Sequence, residues 1–218
     1  MIKLVIFDVD GVILDSETMY VNAAVETCRK YHYDLPVEII KKSIGCRTDV
    51  QKKIDTEYMG EDFDFDTYFV QLKQEMERRM REDPPSAKKG LVELLDYLKK
   101  KGISIALATS SDRKKQNYCL KKAGVYDYFD YMIFGEDIKN SKPDPEIYLK
   151  VIEHFGCDKD EVLIIEDSVN GILSGYNAGA RVIYVPDIVE VPQDIVDRTF
   201  RKLDDLSQCI ELIEELDR

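Results

Sequence analysis

Five short apolar runs limit what this chain can fold into more than any other feature. They are IKLVIF (2–7), ISIALA (103–108), YMIF (131–134), VLIIE (162–166) and RVIYV (181–185). Runs so rich in Val, Ile and Leu, with little polar alternation, suit strands buried on both faces. The stretches between them carry helix signals: LVELLDYLKKKG closes on Gly102 and DRKKQNYCLKKAG on Gly124, each a residue able to end a helix in the left-handed conformation. Strand and helix therefore alternate. Right-handed crossovers then predict an α/β fold, a doubly wound Rossmann-like parallel sheet with helices on both faces.

One region breaks the rhythm. Residues 15–84 hold no convincing strand, only helical patterns at 17–30, 36–43, 48–59 and 67–81. An insert of about 70 residues after the first strand far exceeds a loop and predicts an all-α bundle subdomain. Pro84 and Pro85 in EDPPS forbid a continuous helix at its exit. The expected organisation is a core of 1–14 with 85–218, and a helical domain of 15–84. Within it, GEDFDFD (60–66) reads as a solvated loop. The final DLSQCIELIEELDR reads as an amphipathic helix over the sheet edge.

Composition narrows the function. The 218 residues are 44% hydrophobic and 34% charged, which favours a folded chain over a disordered one. A net charge of -12 repels a phosphate backbone and argues against nucleic acid. Cys28, Cys46, Cys119, Cys157 and Cys209 show no paired spacing, and with only His32 and His154 they form no zinc pattern. Free thiols and a start directly in a strand predict a cytoplasmic protein. No apolar run approaches the roughly 20 residues that span a bilayer, so no membrane partner is expected.

In an open parallel sheet, ligands bind beyond the carboxyl ends of the strands. The first run ends in Asp8 and Asp10, then Gly11. This is either a solvated Asp-Gly turn or a metal and acid/base pair whose mutual repulsion a cation offsets, and strand alternation would send both side chains the same way. The second ends in Thr109, Ser110 and Ser111. Here Ser111 or Asp112 can cap the next helix, and Thr109 with the free N–H groups can receive a phosphate. After the third, Lys142 stands before two prolines in NSKPDPEIY, as a surface lysine or a fixed point charge for a phosphate. The fourth ends in Glu166 and Asp167, where Asp167 or Ser168 can cap a helix and the acidic pair can complete a site of oxygen ligands. His154 reads as a partner of a helix C-terminus.

Taken together, FDVDGVILDSE, ALATSS, NSKPDPEIY and IIEDSVNGI resemble the four motifs of the haloacid dehalogenase superfamily, in its phosphatase and β-phosphoglucomutase-like branch with a helical cap inserted after the first motif. The resemblance covers nearly the whole chain; Lys89-Gly90 stands where relatives often have Pro-Gly. It implies that Asp8 is the nucleophile and forms an aspartyl phosphate, while Asp10 protonates the leaving oxygen and then deprotonates water. It implies Mg²⁺ held by Asp8, the backbone carbonyl of Asp10 and Asp167, with Glu166 in or beside the ligand set. Thr109, the N–H of Ser110 and Lys142 would hold the phosphoryl oxygens.

The expected reaction is hydrolysis of a small phosphorylated metabolite, a sugar phosphate in particular, by a monomer. A sugar phosphomutase shares the scaffold. Members of that kind carry a histidine where this chain has Tyr20, and Lys-Gly-x-x-Arg where it reads Ile44-Gly45-Cys46-Arg47-Thr48. Arg47 is the candidate substrate contact in the cap, or a solvated arginine at a helix start. Asp10 argues against a dehalogenase, and the length argues against a signalling receiver domain. A catalytically silent phosphate-binding protein would not need the complete motif set.

Overall fold

The apolar runs become the centre of a six-stranded sheet. Its strands are β1 (Leu4–Phe7), β2 (Ser104–Ala108), β3 (Tyr131–Ile133), β4 (Val162–Glu166), β5 (Arg181–Tyr184) and β6 (Arg201–Lys202), in the order β3-β2-β1-β4-β5-β6. Every neighbouring pair is parallel. The doubly wound α/β architecture read from the sequence is therefore present. The computed structural model describes residues 1–44, 46 and 48–218, so the expected contact of Arg47 with substrate lies outside the described residues. The short edge strand β6 was not foreseen; both of its residues are exposed and basic, which discourages edge-to-edge pairing.

Residue contacts divide the chain into two compact units, Ser16–Pro85 and Met1–Asp15 with Ser86–Arg218. The first holds α1 (Ser16–Tyr31), α2 (Val37–Lys42), α3 (Thr48–Met59) and α4 (Phe65–Glu82). Its core gathers Ala23, Ala24 and Cys28 of α1 with Leu35, Ile40 and Phe65, Tyr68 and Leu72 of α4. The paired alanines let α1 approach α4 closely, and the i, i+3, i+7 spacing of Phe65, Tyr68 and Leu72 puts all three on one face. The stretch 60–66 is more than a solvated loop. Phe63 packs against this core, and Asp64 caps α4 by accepting from the Thr67 N–H at 3.1 Å. That cap is why α4 starts at Phe65.

The second unit adds α5 (Leu91–Lys101), α6 (Arg113–Lys122), α7 (Glu146–Phe155), α8 (Val169–Ala178), α9 (Gln193–Val196) and α10 (Gln208–Leu216). Leu4 and Ile6, Ala106 and Ala108, Val162 and Ile164, and Val182 and Tyr184 share a core with Ile147, Tyr148, Val151 and Ile172 of α7 and α8. The alternate residues Val5, Phe7, Ile105, Leu107, Leu163 and Ile165 are equally buried and face the other way. On that other side α5 packs against β2, and α10 lies beside α5, with its Glu215 paired to Arg201 of the edge strand β6 at 3.7 Å. Its buried residues Cys209, Leu212 and Ile213 form a stripe that suits a helical neighbour, while β6 takes the edge. His154 lies in the last turn of α7, its ring stacked on Tyr131 at 3.9 Å. All five cysteines are free. Among the described residues no helix is long and apolar enough to cross a membrane.

Candidate active site

The strand order reverses its direction of growth between β1 and β4, the position at which an open α/β sheet leaves a crevice at its carboxyl end. The Asp8 N–H donates to the Ile165 carbonyl at 3.1 Å, which carries the parallel ladder one residue past β1. Asp8 and Glu166 continue the alternation of Leu4, Ile6 and of Val162, Ile164. Both carboxylates thus reach the α7–α8 side of the sheet. Carboxylate oxygens of Asp8, Glu166 and Asp167 come within 4.8 Å of one another, and all three residues are buried.

Lys142 enters this acidic group. Its ammonium donates to Asp8 Oδ1 at 2.5 Å, to Glu166 Oε1 at 2.6 Å and to the Ala108 carbonyl at 3.3 Å. The preceding loop is tied down by Glu146, which accepts from the N–H groups of Lys139 and Asn140 at 3.0 and 2.9 Å. Ser174 Oγ of α8 holds the Asp144 carbonyl at 2.7 Å. A long, flexible side chain is thereby fixed at one point. Burial opposes the Lys142 charge, but Asp8 and Glu166 hold its pKa well above the usual lysine value.

Two carboxylates share that one ammonium. Burial, opposed by the Lys142 charge and reinforced by Glu166, pushes the Asp8 carboxyl up to about 7. Added positive charge beside Asp8 would favour its ionised form. Glu166 is held by donors on every side: Lys142, the Tyr148 hydroxyl, the N–H groups of Asp167 and Ser168 at 3.2 and 3.4 Å, and Ser168 Oγ at 3.2 Å. Burial and the Glu166 charge keep the Tyr148 phenol well above its ordinary pKa, so it acts as a donor.

The Asp10 carboxylate has partners of its own. Its Oδ2 accepts from Ser111 Oγ at 2.7 Å and from Gln116 Nε2 at 2.9 Å, both on the α6 side. β1 ends at Phe7, so Asp10 lies just beyond the strand, near enough to Asp8 for its charge to add to the upward pull on the Asp8 carboxyl. There Gly11, at φ +84°, reverses the chain, and a Cβ on it would stand 2.1 Å from Asp167 Oδ2. Only glycine leaves room for the Asp167 carboxylate at that place.

The helix caps are also assigned. Asp112 caps α6 by accepting from the Lys115 N–H at 2.8 Å, which leaves Ser111 to Asp10. Ser168 caps α8 through the Gly171 N–H at 3.1 Å, which leaves Asp167 to the acidic group. Thr109 is buried and its Oγ1 accepts from the Ser111 N–H at 3.0 Å, while Ser110 is exposed. Gly135 lets the Ser110 carbonyl approach, since a Cβ there would lie 2.4 Å from that oxygen.

Sequence reasoning missed Gln116, Tyr148, Gly171 and Asp187. A Cβ on Gly171 would fall 1.9 Å from the Glu166 carboxyl carbon, so α8 passes the site edge with a bare Cα. Gln116, Tyr148 and Gly171 sit inside helices and carry no local signal. Asp187 was legible by the strand-end rule that located the others, applied to RVIYVPD.

Residues 5–185 match the haloacid dehalogenase-like hydrolase family. The phosphorylated carbohydrates phosphatase of Thermotoga maritima is 31% identical over 186 residues, covering 84% of each chain. The YhcW protein of Bacillus subtilis is 34% identical over 191 residues, covering 87% of this chain and 86% of its own. The crystal structure of a candidate β-phosphoglucomutase from Thermotoga maritima superposes with a TM-score of 0.81 at 26% identity, covering 98% and 99% of the two chains. With a match across most of its length and a buried acidic site at the expected strand ends, the chain belongs to the haloacid dehalogenase-like hydrolases, as a phosphatase.

Proposed function

We propose that the chain is a Mg²⁺-dependent phosphomonoesterase for a small phosphorylated metabolite, in particular a sugar phosphate, and that it works as a cytoplasmic monomer through an aspartyl phosphate on Asp8. The observation that carries this reading is the buried group of Asp8, Glu166 and Asp167 around one lysine. Its donors fit a hard divalent cation: all are oxygens, two share a single ammonium, and Gly11 gives the Asp167 carboxylate the room to join them. Asp8, the backbone carbonyl of Asp10 and Asp167 would hold Mg²⁺ with Glu166 beside them, and when bound it offsets the charge of nucleophile and phosphate.

The chain's own residues divide the remaining work. An Asp8 oxygen attacks phosphorus and the bond to the leaving oxygen breaks, leaving an acyl phosphate. Asp10 gives its proton to the leaving alkoxide and takes one back from the water that hydrolyses the intermediate. Ser111 and Gln116 fasten Oδ2 of Asp10, so Oδ1 is the oxygen that carries the proton. Thr109, the Ser110 N–H and Lys142 hold the phosphoryl oxygens as their charge shifts. Residues 15–84 serve as the cap domain, where side chains including Arg47 select the substrate.

A second reading, a sugar phosphomutase, is favoured by the likeness to the candidate β-phosphoglucomutase. Tyr20 weighs against it. At the place of the mutase histidine, its hydroxyl accepts from Gln51 Nε2 at 2.9 Å within a polar cluster that includes buried Asp55, and burial raises its pKa further.

One assay tests both. Phosphate release from p-nitrophenyl phosphate and from β-glucose 1-phosphate is measured after EDTA treatment, with and without added Mg²⁺. Hydrolysis that appears only with Mg²⁺ is the expected result, and equal rates in EDTA contradict it. Glucose 6-phosphate forming faster than phosphate, and only when glucose 1,6-bisphosphate is present, identifies the mutase.

A further inference from the structure

β5 delivers one more carboxylate to the end of the sheet that carries the acidic group. Asp187 lies three residues past Tyr184, and a carboxylate oxygen of it lies within 4.8 Å of one of Asp167. Its Oδ1 accepts from the Lys88 ammonium, and Lys88 is itself fixed by its N–H donating to the Ile13 carbonyl at 2.9 Å. The Asp187 side chain is only 8% exposed, and its Oδ2 is buried with no hydrogen-bond partner. That oxygen faces Gly11: a Cβ there would stand 3.1 Å from Asp187 Oδ2 and 2.1 Å from Asp167 Oδ2.

An ion pair that merely anchored the loop would account for Oδ1. It leaves Oδ2 unexplained, because a buried, unsatisfied carboxylate oxygen carries its full desolvation cost. Positive charge beside Asp167 would relieve that cost. We propose that Asp187 is a positioning residue for the divalent cation, its free oxygen strengthening the hold of the Asp8, Glu166 and Asp167 group, while Lys88 on its other oxygen moderates that pull. The proposal rests on the Mg²⁺ reading above. It adds a carboxylate outside the four motifs, on a fifth strand end.

The two roles give opposite signs for two substitutions. Binding of Mg²⁺ alone to the full chain, without substrate, is measured by titration calorimetry, with Mn²⁺ as a second probe and melting in EDTA as the check on folding. Asp187→Asn, with Asp187→Ser as a second removal of the charge, is expected to weaken Mg²⁺ binding about tenfold, the size typical of a supporting group outside the ligands themselves. Lys88→Met, which leaves the Asp187 charge unshared, is expected to bind at least as tightly as wild type. Any other pattern overturns the role of Asp187, including unchanged affinity without Asp187 or a matching loss in both variants. Wild-type protein that takes up no Mg²⁺ at all overturns the metal reading itself, before the variants are compared.

Discussion

Asp8→Asn is expected to lower phosphatase turnover to no more than about 10⁻⁴ of wild type, the scale of loss when a covalent nucleophile is removed. The amide keeps the size of the carboxylate but cannot attack phosphorus. Folding should survive, because Lys142 keeps its 2.6 Å contact with Glu166 and the repulsion between Asp8 and Glu166 disappears. Steady-state kinetics and thermal melting of the same preparation check both halves. A variant that melts like wild type and retains a tenth of its turnover would remove Asp8 from the chemistry.

Gly171→Ala is the second large effect, and its sign is unusual. Inside a helix, alanine normally stabilises by about 1 kcal/mol over glycine. Here the new methyl would lie 1.9 to 2.0 Å from the carboxyl atoms of Glu166. A carboxylate at the end of a free side chain could step aside. Glu166 is fully buried and is held by Lys142, Tyr148, Ser168 and two backbone N–H groups, so its movement breaks several bonds at once. Overpacking of this kind outweighs helix propensity and leaves a net loss of about 2 kcal/mol. For a chain of this size that lowers Tm by about 4–8 °C. A calorimetric Tm equal to or above that of wild type would show that Glu166 yields freely.

The sheet was legible because strands buried on both faces must be apolar along their whole length, and IKLVIF, ISIALA and VLIIE have few other uses. The acidic residues were legible for a related reason: a carboxylate directly after such a run needs a cause. What the sequence leaves open is the choice between neighbours of equal chemistry. Ser111 and Asp112 can each cap a helix, as can Asp167 and Ser168, and only packing shows that Asp112 and Ser168 do so. The partners of Asp10, Ser111 and Gln116, lie more than a hundred residues away in sequence, so no local pattern names them. Tyr148, Gln116 and Gly171 act across helices far apart in sequence, so no local pattern marks them.

The central claim is that a phosphoryl group resides on Asp8 during turnover. Wild-type enzyme mixed with excess sugar phosphate and Mg²⁺, quenched in acid within the first turnovers and digested, can be read by mass spectrometry. The mechanism requires one phosphoryl group on the peptide that contains Asp8, released by hydroxylamine and absent from Asp8→Asn. Rapid release of phosphate with no such adduct at any quench time, or with the phosphoryl group on another residue, would contradict it.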